Sequence, residues 1–120
     1  MIPAELTRPV RVVEYAGPRE LLDLLYREIG CEHLDTTAQL WSRFGPFVLW
    51  VDDVGLLRDP IEHNDRAIAL CRAVGYDVAD LAGTAVVTGG ADSAGDTRTL
   101  PPRLRDWLLH AFDPPQPQQP

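Results

Sequence analysis

Residues 48–90 hold one continuous plan: an apolar strand, an acidic glycine turn built from Asp52, Asp53 and Gly55, a helix opening at Asn64, and a second apolar run over 84–88. Phe47, Val48, Leu49, Trp50 and Val51 include no polar side chain, as expected of a strand buried on both faces. Asn64 is a good N-cap, because its side-chain oxygen can accept from a first-turn N–H. Ala67, Leu70, Cys71 and Val74 then recur at helical spacing until Gly75 supplies the stop. Such a stripe needs a sheet to cover.

The flanks extend the plan. Arg11, Val12, Val13, Glu14 and Tyr15 form a β-prone segment ended by Gly17 and Pro18. Pro18 suits a first helical turn, and Leu21, Leu22, Leu25 and Ile29 follow at helical spacing up to Gly30. Leu34, Thr36, Ala38 and Leu40 alternate with Asp35, Thr37 and Gln39, the period of a strand wet on one face. Residues 42–46 read as a turn. The order β, α, β, β, α, β is that of a ferredoxin-like split βαβ: an α+β fold with a four-stranded, mainly antiparallel sheet and both helices on one face. A different α+β sheet order is also compatible. Pro101 and Pro102 open a third helix, in which Leu104, Trp107, Leu108 and Ala111 share a face that either covers the open sheet or docks on another subunit. Residues 1–112 therefore read as one domain, and the Pro/Gln-rich residues 113–120 as a disordered tail with a polyproline II bias.

Charge narrows the function. The net charge is −7, and residues 31–65 carry seven acids against two arginines. An acidic centre is the wrong surface for tracking phosphates, so no direct nucleic-acid binding is expected. No apolar run approaches the roughly 18 residues of a membrane span, and residues 1–9 lack the apolar core of a secretory signal, which points to a cytoplasmic protein away from membranes. Two cysteines, Cys31 and Cys71, then read as reduced thiols rather than a disulfide framework.

Ile29-Gly30-Cys31 ahead of a strand, Val51-Asp52-Asp53-Val54-Gly55-Leu56, Asn64 with Ala67 three residues on, and Gly83-Thr84-Ala85-Val86-Val87 before an Asp- and Gly-containing loop occur in that order. In this the chain resembles, over residues 20–96, an uncharacterised domain-of-unknown-function family widespread in actinobacterial genomes, plasmids and phages. The resemblance implies no activity and assigns no catalytic residue.

The densest polar cluster is His63 and Asn64 with Asp52, Asp53, Asp59 and Glu62 nearby in the chain. A histidine among carboxylates suits a general base or a ligand-binding role, and Asp52, Asp53, His63 and Asn64 are the candidate set. The bland account is a helix cap, a turn and a surface loop. No close-spaced Cys or His pair supports a metal, and no cofactor is implied. Ser93, Asp106 and His110 follow a hydrolase chain order, but Gly95, Asp96 and the proline pair predict a loop where a nucleophile elbow needs a strand and a helix. Asp92 and Asp96 would repel a phosphate from the 89–96 loop. Cys31, at a helix C-terminus, is expected to have a raised pKa, and Cys71 to be a small core residue.

The expected function is therefore a non-enzymatic accessory or regulatory protein, acidic, acting through protein contacts. A phage- or plasmid-associated anti-restriction or anti-defence role, in which the acidic surface occupies a partner's basic nucleic-acid-binding face, fits the sign of the charge. A homodimer through the sheet, or through Leu104, Trp107 and Leu108, fits a small α+β domain. The rival class is a ligand-binding domain or enzyme built on Asp52, Asp53, His63 and Asn64.

Overall fold

The computed structural model of the chain describes residues 1–5, 9–78 and 80–112. Along them run α1 (Pro18–Ile29), β1 (Leu34–Thr36), β2 (Leu40–Ser42), β3 (Gly45–Asp52), a 3-10 turn (Gly55–Leu57), α2 (Asp65–Ala73), β4 (Val86–Gly89) and α3 (Pro102–Phe112). The tail expected over 113–120 lies outside the described residues.

β3 is the spine of the sheet. β4 pairs antiparallel along one edge, and β1 and β2 lie end to end along the other. Thr36 sits opposite Trp50 and Leu40 opposite Phe47, so four steps on one side match three on β3. The extra residue is a bulge. There Thr37 donates its N–H to the Leu49 carbonyl (3.0 Å), while its hydroxyl oxygen accepts from the Leu49 N–H (3.1 Å). The single strand expected over 34–40 is broken at that point.

Alternation along β3 divides its apolar run between two cores. Phe47, Leu49 and Val51 join Val87 of β4, Ala67, Leu70 and Cys71 of α2, and Leu104 and Leu108 of α3. Trp50 on the opposite face joins Val86 with Leu21 and Leu25 of α1. Its indole N–H donates to the Thr88 hydroxyl across the strands at 2.9 Å. Each large apolar side chain so buried contributes about 1.5–3 kcal/mol, which is why neither face can be left wet.

The α+β class and the antiparallel four-stranded sheet hold, whereas the βαββαβ order and the one-faced helix layer do not. Three strands precede α2, and α1 lies across the sheet from α2 and α3. The physical reason is already in β3: a strand apolar on both faces demands cover on both. The β-prone segment 11–15 is not a strand of this sheet; its backbone pairing is with Met1 through Arg11, and Ile2 instead bridges to Ala85. Val and Tyr content raised its β propensity without giving it an edge to join.

The helices follow their local signals. Pro18 opens α1, and Glu20 reaches back to accept from the Ala16 N–H (3.0 Å). Gly30, at φ 70°, closes the helix by donating to the Tyr26 carbonyl, a left-handed turn that glycine adopts without strain. Leu24 takes the buried place assigned above to Leu22, which is 49% exposed. Asn64 caps α2 by accepting from the Ala67 N–H at 3.0 Å. Of the two fates open to α3, covering the sheet is the one observed: Leu104 and Leu108 are buried, and Trp107 leans on Phe44 with ring centroids 6.1 Å apart.

Candidate functional site

The acidic turn grows directly out of β3. Asp52, its last residue, is buried, and its carboxylate accepts from the Val54 N–H (3.1 Å) and from the Arg58 guanidinium. This folds residues 53–58 back over the strand end. Gly55 lies buried in the middle, so close to the next segment that a Cβ there would sit 2.9 Å from the Ala82 carbonyl oxygen. Side chains on either side of Gly55 are therefore turned outward. Val54, Leu56, Leu57 and Ile61 are all exposed, Leu57 by 83%, among the exposed acids Asp53, Asp59 and Glu62. Apolar side chains crowded on a loop and rimmed by charge mark a contact surface more often than a solvated turn.

Beneath this loop is a cleft of about 660 Å³ lined by Asp52, Arg58, Glu62, Gly83 and Thr84 among others. Of the four residues grouped from the sequence, Asp52 alone lines it. Asp53 is exposed, with its N–H donating to the His33 carbonyl (3.0 Å). His63 is exposed and pairs through Nδ1 with Asp80 (2.8 Å). Asn64 is fully buried: beyond its capping bond, its amide donates to the carbonyls of Ile2 and Gly83, both at 2.8 Å. It joins the first residues of the chain, the start of α2 and the loop before β4. Proximity in sequence thus separates into three roles, a loop anchor at Asp52, a surface pair at His63 and a structural junction at Asn64.

Burial is the main cause that raises the Cys31 thiol, followed by the negative charge of Asp52, with Arg58 opposing. The direction matches expectation, although the helix dipole is not needed to explain it. Asp92 accepts from the N–H groups of Ala94 (2.9 Å) and Asp96 (3.0 Å), making residues 92–96 a self-contained turn with Ser93 exposed. Asp106 pairs with Arg105, its neighbour on α3. No group of three or more His, Cys, Asp or Glu side chains suited to hold a metal ion occurs among the described residues. No helix among them is long and apolar enough to cross a membrane.

Two features escaped the sequence reading. One is the exposed apolar set at 54–61, whose signal was four aliphatic residues without helical or strand period inside the most acidic stretch. The other is an apolar cavity of about 360 Å³ on the outer edge of β4.

The fold and its surfaces define a small α+β protein whose antiparallel sheet is clad by helices on both sides and whose central strand runs into an acidic loop that exposes aliphatic side chains. The chain belongs to the family described as Domain of unknown function (DUF3846), whose model matches residues 1–113. No curated protein and no solved structure matches it.

Proposed function

We propose that this chain is a non-enzymatic accessory protein that works by protein contact, with residues 53–62 as the contact surface and a basic protein surface as partner. The observation that carries this reading is the exposure of Leu57 with Val54, Leu56 and Ile61 on a loop that also exposes Asp53, Asp59 and Glu62. Acids of one sign speed encounter with a cationic partner, and the desolvated aliphatic centre holds it. The anchoring through Asp52 and Gly55 presents that centre in a fixed shape, which lowers the ordering cost of association. In the finer reading, the partner's basic surface is one that otherwise meets nucleic acid, the arrangement of an anti-restriction or anti-defence protein of a phage or plasmid.

The test is capture from native lysate on immobilised protein at low and high salt, beside a control protein of equal charge. Leu56→Ser/Leu57→Ser and Asp53→Asn/Asp59→Asn/Glu62→Gln variants are run in parallel. A partner retained by the parent alone, lost from both variants and weakened by salt, is the expected result. Retention that both variants share with the parent, or that the control reproduces, sinks the reading.

The cleft under the loop supports a second reading, a small-ligand site using Asp52, Arg58 and Glu62. It predicts thermal stabilisation by a library compound that is abolished by Glu62→Gln and retained by Leu56→Ser, whose side chain is not among the cleft's lining.

A further inference from the structure

The outer edge of β4 is only partly used. At one end Ala85 exchanges two backbone hydrogen bonds with Ile2 (2.6 and 2.9 Å), and at the other the Gly89 N–H donates to the Arg98 carbonyl (2.9 Å). Val87 lies midway. In a regular strand every second residue turns its backbone groups to the same side, so the N–H and C=O of Val87 also point outward, away from β3. Neither has a hydrogen-bond partner among the described residues. What Val87 lines instead is the cavity of about 360 Å³, with Val13 on the segment 10–15, Leu24 of α1, and Leu108 and Leu109 of α3 among its other walls.

The backbone around one end of the cavity shows what shape it suits. Met1 and Ile2 lie in extended pairing between Ala85 and Arg11, with the Arg11 N–H donating to the Met1 carbonyl (3.2 Å) and the Met1 amine to the Arg11 carbonyl (3.0 Å). A backbone on the outer side of β4 is thus already flanked by a second backbone there, and the cavity carries that middle lane on alongside Val87. Its volume falls within the range of ligand pockets, roughly 300–1,000 Å³.

We propose that this cavity is a docking slot for one extended segment of a partner protein, which adds a short strand to β4 through the N–H and C=O of Val87. A main-chain donor and acceptor at one residue of a strand edge are complemented by a second extended backbone, the basis of recognition by strand addition. A purely hydrocarbon ligand would instead leave both groups buried and unmet. Because α1 closes one face of the sheet and α3 the other, side chains of the added strand meet Leu24 on one side and Leu108 on the other. The occupant is therefore a run of consecutive apolar residues rather than an alternating one, the same pattern that β3 shows. None of the slot's walls belongs to the acidic loop, so the two surfaces are independent.

The test titrates isotopically labelled full-length protein with blocked tripeptides carrying Val, Ile, Leu or Phe at the central position, each paired with a version N-methylated at that residue. Backbone amide spectra and hydrogen exchange are the readouts. The expected result is a shift of the amides of residues 86–88, roughly tenfold slower exchange at Val87, and roughly tenfold weaker binding of the methylated peptide, which has lost a donor. Val13→Trp should fill the slot and abolish binding while melting cooperatively; if it fails to fold, Leu109→Trp makes the same test from the opposite wall. No perturbation of residues 86–88 by any peptide overturns the proposal. So does equal binding of methylated and unmethylated peptides, which would make the cavity a site for small apolar molecules.

Discussion

Asn64 and Leu57 are seven positions apart and use the opposite of what their chemistry suggests: the polar residue is fully buried, and the aliphatic one is 83% exposed. Around Asn64 the side-chain amide is satisfied on both its atoms, one accepting from Ala67 and one donating to Ile2 and Gly83. Around Leu57 the backbone is held while the apolar side chains have nothing to cover them. A junction closed upon itself serves stability, and a surface left apolar at fixed shape is the one proposed above for contact. The two regions should therefore respond to substitution in opposite ways.

The largest effect should come from substituting Asn64: Asn64→Ala removes the cap, strips the Gly83 carbonyl of its donor and leaves the Ile2 carbonyl with the Ala85 N–H alone. A loss of about 2–4 kcal/mol in urea unfolding is expected from those costs. Asn64→Asp keeps the capping oxygen but sets a buried carboxylate oxygen against the Ile2 and Gly83 carbonyls, so it should cost at least as much as alanine, whereas a loss well below that of alanine would locate the value of Asn64 in its cap. Gly55→Ala bridges the regions, because the new methyl would strike the Ala82 carbonyl and lever the loop off its seat. It should cost about 1–3 kcal/mol and also weaken partner capture.

The thiols sharpen the comparison through pH. Burial pushes the Cys71 thiol above its ordinary value of 9.0, so folding favours its protonated form. Its contribution to stability is complete below the unfolded pKa and is lost as pH climbs through the higher folded one. A decline in urea midpoint above about pH 9, reduced in Cys71→Ala to the part that Cys31 and Tyr15, raised likewise by burial, contribute, is the expected sign. With a thiol reagent at neutral pH, half-buried Cys31 should react first, and Cys71 only at the rate of opening of the fold. The smallest effect on stability should be that of Leu57→Ser, within about 0.5 kcal/mol, although it should cost most of the contact. A large fall in melting temperature for that variant would show that Leu57 is part of the core and not of an interface.

Much of this fold is legible in the chain because its signals are local. Pro18, Gly30, Asn64 and Gly75 mark helix ends, and the run from Phe47 to Val51 marks the central strand. That same run, apolar on both faces, already required helices on both sides, and a four-strand pattern with one helical layer conflicted with it. The role of residues 11–15 was not legible, since whether a β-prone segment joins a sheet depends on which edge is already taken, and Ile2 takes the one beside Ala85. The candidate cluster failed to converge for a similar reason. Asp52 and His63 are drawn to Arg58 and Asp80, partners that spacing alone does not single out.

The doubled residue between β1 and β2 has a consequence for how copies of this molecule behave in a crowd. The border it interrupts would otherwise be a straight row of donors and acceptors, the template on which chains stack into fibrils. Broken into two three-residue pieces set one step out of phase, it offers an incoming strand no run long enough to zip onto. On that side, a second copy of the chain finds only two short, offset runs to pair with.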